Sequence, residues 1–82
     1  PALLQMAKLS LEVGNALSAR GFIERYFRNG PDTPESLLLA AKIEHQLGNR
    51  NAESSYAMRL KGKFPDAPEV QAYQRGTGKV KQ

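Results

Sequence analysis

His45 is the only histidine in the chain, and the sequence contains no cysteine. Without cysteine there is no thiol nucleophile, no disulfide framework and no four-cysteine zinc module. One histidine does not make a metal site, which needs several converging ligands. Glu12, Glu44 and Gln46 do not supply the rest of such a set. A Ser–His–carboxylate trio can be written from Ser54 or Ser55, His45 and Glu53. Nothing in the sequence sets either serine on a strained turn beside oxyanion donors, as that mechanism demands. Gly76-Thr77-Gly78-Lys79 has the look of a phosphate loop, but that motif needs a glycine at position 73 and a Ser or Thr at position 80. Tyr73 and Val80 stand there. The chain reads as non-catalytic, with no metal and no cofactor.

A docking chemistry is better represented. Lys8 and Lys42 are 34 residues apart, and their helical neighbours recur with them. Leu4, Lys8, Leu11 and Glu12 form one set, and Leu38, Lys42, His45 and Gln46 the other. At helical spacing each set lies along one face of a first helix, pointing away from the helix that follows. Such a surface suits an extended or helical peptide, with apolar anchors for affinity and Lys or Gln side chains to fix its backbone. The same leucines also suit packing between neighbouring repeats, and the same lysines a solvated face.

The elements that would position these residues come from sliding the chain along itself. At an offset of 34, Leu3-Leu4 falls on Leu37-Leu38, Ala7-Lys8 on Ala41-Lys42, and Gly14-Asn15 on Gly48-Asn49. Pro31-Asp32 falls on Pro65-Asp66, and Pro34-Glu35 on Pro68-Glu69. Leu9 with Ile43, Val13 with Leu47 and Phe22 with Tyr56 are conservative pairs.

Each unit reads as two helices. Leu3, Met6, Ala7, Ser10 and Val13 recur at helical spacing. Gly14 ends that helix, because glycine tolerates the left-handed backbone a helix C-terminus often needs. Asn15 is the candidate cap of the next helix, whose apolar face is Ala19, Phe22, Ile23, Tyr26 and Phe27. In the second unit Thr33 caps, and Pro34 suits the first helical position, where its missing N–H costs nothing. Leu37, Leu38, Ala40, Ala41, Ile43 and Leu47 form the stripe, and Gly48 stops it. Ala52, Tyr56, Leu60 and Phe64 mark the partner helix, capped by Asn49 or Asn51. Gly48 to Ala52 is one residue shorter than Gly14 to Ala19, which predicts a tighter second turn or a shifted register. Small residues at Ala7, Ala41, Ala19 and Ala52 let paired helices approach closely. A third helix after Pro68, carrying Val70, Ala72 and Tyr73, seals the open end of the stack.

Charge is uneven. Residues 1–58 hold six Lys/Arg and six Asp/Glu, so the net charge of +4 comes from residues 59–82. Residues 77–82 read as a flexible basic tail. A nucleic-acid footprint would cluster basic residues on one element among stacking aromatics. The second helix offers Arg20, Arg25 and Arg28, interrupted by Phe22, Glu24 and Tyr26. A small basic helical nucleic-acid-binding protein is the alternative reading, and it leaves the duplication unexplained. The longest apolar run, Leu37 to Ala41, is far too short to span a bilayer.

A two-helix unit of 34 residues with Ala, Gly, Ala, an aromatic and Pro in this order resembles the tetratricopeptide repeat. The resemblance covers residues 1–68 and departs from the pattern at Leu3 and Leu37, in place of a large aromatic, and at Ser10 and Glu44, in place of bulky residues. A narrower stretch, Ser36 to Glu44, then Leu47-Gly48-Asn49-Arg50-Asn51-Ala52-Glu53-Ser54-Ser55-Tyr56-Ala57, then Leu60 and Phe64-Pro65-Asp66-Ala67-Pro68-Glu69, is similar to the C-terminal repeats of the PilF/PilW family. Those are type IV pilus (fimbrial) biogenesis proteins, outer-membrane lipoproteins that act as pilotins for the secretin ring.

These readings converge on an all-α, right-handed, tetratricopeptide-like hairpin stack. Its parts are a first repeat at 1–34, a second at 35–68, a capping helix at 69–76 and the tail at 77–82. The expected function is protein–protein scaffolding, with no nucleic acid bound and no membrane insertion by this segment. The face left open at Leu3, Met6 and Ser10 is a candidate for self-association, since about three repeats are usually needed for a stable stack. The resemblance further implies a secretin subunit as partner, a periplasmic, outer-membrane-associated setting, and a lipid-bearing cysteine and further repeats upstream.

Overall fold

The computed structural model of the chain describes residues 2–73. These form five helices and no strand: α1 (Ala2–Glu12), α2 (Ala16–Asn29), α3 (Pro34–Leu47), α4 (Arg50–Lys63) and α5 (Pro68–Tyr73). The closing helix is α5. Residues 74–76 of its expected span, and the tail at 77–82, lie outside the described residues.

The helix ends follow from local chemistry. Gly14 and Gly48 take left-handed φ values of +83° and +77°, a region that costs other L-residues about 1–2 kcal/mol. That twist returns the chain on itself: the Asn15 N–H donates to the Ser10 carbonyl at 2.8 Å, and the Asn49 N–H to the Glu44 carbonyl at 2.9 Å. The side chains of Asn15 and Asn49 then cap α2 and α4, accepting from Ser18 N–H at 3.2 Å and Ala52 N–H at 3.4 Å. The same bonds recur in both units, 34 residues apart. The second turn is tighter by one residue, as the spacing predicts, because α3 runs on to Leu47 where α1 ends at Glu12, and its register is not shifted. By register the counterpart of Ala19 is Glu53, since the Ala19 and Glu53 N–H groups each donate to their cap carbonyl, at 3.1 and 3.0 Å.

The start of α3 carries a full capping box. Ser36 N–H donates to Thr33 Oγ1 at 3.0 Å, and Thr33 N–H donates to Ser36 Oγ at 2.9 Å. Pro34 occupies the first turn. Caps of this kind contribute about 1 kcal/mol each. The ends of α2 and α4 also correspond, with Gly30 N–H donating to Tyr26 O at 2.6 Å and Phe64 N–H to Leu60 O at 2.9 Å.

Packing is pairwise, then lateral. α1 lies against α2 and α3 against α4; α2 joins the pairs by lying against α3, and α5 contacts both α3 and α4. Leu4, Ala7, Ala19, Ile23, Tyr26, Leu39, Ala40 and Ile43 form one buried cluster across the two pairs. Leu37, Leu60 and Val70 form a second under α5. Ala7, Ala19, Ala40 and Ala41 are wholly buried, as close helix approach requires, whereas Ala52 is only half-buried. Val13 does not join the buried stripe: it is 79% exposed, because it lies past the last turn of α1, on a side that no helix among the described residues covers.

Candidate functional site

α1 and α3 are the first helices of their pairs and are in contact. Between them and α5 lies a groove of about 330 Å³. Its floor is Leu38 and Leu39, and its walls are Lys8 and Glu12 from α1, Glu35 and Lys42 from α3, and Glu69 from α5. Lys8 and Lys42, at equivalent positions of the two units, are both exposed. The acids are Glu12 in the last turn of α1, Glu35 in the first turn of α3 and Glu69 in the first turn of α5. The groove offers an apolar base, two ammonium groups and three carboxylates.

Four of the eight residues that the sequence assigns to the concave face therefore line one groove: Lys8, Glu12, Leu38 and Lys42. The others go elsewhere. Leu4 is buried, at 9% exposure, in the main cluster; it matches Leu38 by register but sits between α1 and the core rather than over α5. Leu11 is half-buried against the same cluster. Gln46 is exposed and lines neither concavity described here.

His45 belongs to a second, shallower concavity of about 440 Å³, shared with Gly48, Arg50, Glu53, Ser54 and Tyr73. Its Nδ1 lies 3.2 Å from Glu53 Oε1, and the Tyr73 hydroxyl donates to Glu53 Oε2 at 2.7 Å. Both Glu53 oxygens are thus engaged. No hydrogen bond joins Ser54 or Ser55 to His45 among the described residues, so the trio written from the sequence is not assembled as a relay. Among the described residues no three His, Cys, Asp or Glu side chains converge as a metal set.

Two charged constellations escaped the sequence reading. Arg20 Nη2 reaches Glu44 Oε1 at 3.2 Å, and the Glu44 side chain is only 6% exposed. This ties the first arginine of the suspected basic row on α2 to a carboxylate; Arg25 and Arg28 remain exposed. The second centres on Asp32, which accepts from Arg59 Nη2 at 2.9 Å and from Lys63 Nζ at 2.9 Å. Lys63 first, then Arg59, hold the Asp32 carboxyl below its ordinary value of 3.8. The Arg59 guanidinium also covers the rings of Phe27 and Tyr56, which stack at 5.8 Å. One signal in the sequence pointed to the first pair: Glu44 sits on an apolar stripe, where a charge must find a partner.

Comparison of the chain with protein-family models, curated proteins and solved structures found no significant match. Among the described residues no helix is long and apolar enough to cross a membrane.

Proposed function

We propose that this chain is a non-catalytic protein–protein interaction module of the tetratricopeptide type, and that the groove between α1 and α3 receives a peptide segment of its partner. The reading is supported by turns and caps that repeat at 34-residue spacing, Gly14-Asn15 with Gly48-Asn49. The observation that carries the docking role is the meeting of Lys8 and Lys42 over Leu38 in one groove. Each lysine comes from the equivalent position of a different unit, so a bound segment would be read by both. Apolar anchors on the leucine floor would give affinity, and the ammonium groups would hold carbonyl or carboxylate oxygens.

The sequence resemblance to pilotins of type IV pilus biogenesis makes an outer-membrane secretin subunit the partner of choice, with the periplasm as the setting. The test is co-purification of the full-length protein with secretin. Lys8→Glu with Lys42→Glu should sharply reduce the yield of complex, and an unchanged yield would remove the groove from the interaction. Duplex DNA at low and moderate salt should bind weakly and without sequence preference. Tight, sequence-selective binding would replace the scaffold reading with the nucleic-acid one.

A further inference from the structure

We infer, building on the docking role proposed above, that the groove selects an extended segment of mixed charge, with a basic, an apolar and an acidic residue at alternate positions. The groove is polarised along its length. On α3, Glu35 stands seven residues before Lys42, with Leu38 between them. That separates the two by about 10 Å along the helix axis. Glu69 joins the Glu35 end, because its neighbour Val70 packs with Leu37. Lys8 joins the Lys42 end, because its neighbour Ala7 shares a buried cluster with Ala40 and Ile43. Two carboxylates therefore mark one end of the leucine floor, and two ammonium groups the other.

The molecule does not use these charges itself. The ion pairs among the described residues join Arg20 to Glu44, His45 to Glu53, and Arg59 and Lys63 to Asp32. Lys8, Lys42, Glu35 and Glu69 take part in none of them. A segment of both signs meets a counter-charge at each end. A segment of one sign is attracted at one end and repelled at the other, which is how wrong partners are rejected. Glu12, one turn beyond Lys8 on α1, bounds the positive zone, so it admits one partner carboxylate and not a run of them. The size of the groove sets the backbone. A helix with its side chains is about 10–12 Å across, so a 10 Å length of it fills about 800 Å³, well over the 330 Å³ present. An extended chain advances about 3.3 Å per residue and alternates its side chains. Its first, third and fifth residues therefore face the groove together over about 13 Å, within reach of flexible lysine side chains.

The experiment is fluorescence polarisation of the full chain, at low salt, with three labelled peptides that differ only in their central charges: Arg-Ala-Leu-Ala-Asp, Asp-Ala-Leu-Ala-Asp and Arg-Ala-Leu-Ala-Arg. The mixed peptide should bind at least about tenfold more tightly than either of the others. Glu35→Lys with Glu69→Lys should move the preference to the all-acidic peptide, and Lys8→Glu with Lys42→Glu to the all-basic one. Helical circular dichroism checks each variant. Should a reversal disturb the fold, Glu35→Gln with Glu69→Gln replaces it and should bring the mixed and all-acidic peptides within about twofold of each other. Equal binding of the three peptides by the wild type, binding of none, or a ranking that the variants leave unchanged overturns the charge order. The docking role is judged separately, by co-purification with secretin, which no peptide enters.

Discussion

Arg20 and Glu44 are 24 residues apart in sequence, and their side chains meet at 3.2 Å across the seam between α2 and α3. Glu44 stands in the last turn of α3 on its buried side, one turn after Ala40 and next to Ile43. A carboxylate there is tolerated because Arg20 reaches it from the preceding hairpin. The pair links the two hairpins across their seam.

Removing one partner should cost more than removing both. Arg20→Ala leaves Glu44 buried and unpaired, at an expected loss of about 2–4 kcal/mol. Arg20→Leu combined with Glu44→Leu should recover most of that loss or exceed wild type, because apolar packing replaces two desolvated charges. A double-mutant cycle by urea unfolding measures both numbers. Additive single losses would mean that the two side chains do not act as a pair.

Asp32 should make stability depend on pH in the acid range. Its folded carboxyl lies below the ordinary 3.8, through hydrogen bonds from Lys63 and then Arg59. A depressed folded value contributes stability that is present above the unfolded value and is lost as pH falls through the folded one. Asp32→Asn should therefore lower Tm at neutral pH, and the gap to wild type should close as pH drops below about 4. A gap that stays constant from neutral to acid pH would show that the lost stability comes from packing and not from ionisation.

The helix boundaries were legible because they depend on neighbours in sequence. Gly14-Asn15, Gly48-Asn49 and Thr33-Pro34 each act within one turn, and each acts in the structure as its residue types dictate. The lysines of the groove were legible for a related reason: Lys8 and Lys42 share a register, and the fold repeats at that register. Leu4 and Leu38 share one too, but Leu4 is core and Leu38 lines the groove. Periodicity places a residue on a helix face without saying what lies opposite. Glu44 shows the same limit, since its partner lies on another helix. Val13 shows it as well, since a stripe is buried only as far as a neighbouring helix extends.

Two kinds of glycine should respond differently to alanine. At Gly48 a Cβ would meet nothing within 4 Å, so the cost is the positive φ of 77° alone, about 1–2 kcal/mol. Gly48→Asn should cost less than Gly48→Ala, because asparagine tolerates that region. At Gly30 the backbone is ordinary, with φ of −92°, but a Cβ would stand 2.6 Å from Tyr26 Cε1. The Tyr26 ring is held by its hydroxyl, which donates to Pro31 O at 2.8 Å, so it cannot easily yield. Gly30→Ala should cost about 1–3 kcal/mol and should cost less in a Tyr26→Leu background. Chemical denaturation of the five variants separates strain in the backbone from collision with a ring.

Tyr56 should set a limit at the alkaline end. Burial against Phe27 and the nearby Glu44 carboxylate raise its hydroxyl above the ordinary value of 10.0. Here the folded value lies above the unfolded one, so its contribution is complete below about pH 10 and is lost as pH climbs toward the folded value. Phenylalanine at this position keeps the stacked ring and has no proton to lose. Tyr56→Phe should therefore cost little at neutral pH, where the removed hydroxyl makes no hydrogen bond among the described residues. Above about pH 10 the variant should gain on wild type and overtake it, because only the wild type must hold a phenol protonated against the solvent. Thermal unfolding of both proteins across that range, with tyrosinate absorbance followed in parallel, reads the crossing directly. Parallel curves through the alkaline range would show that the Tyr56 hydroxyl titrates as freely in the folded chain as in the unfolded one.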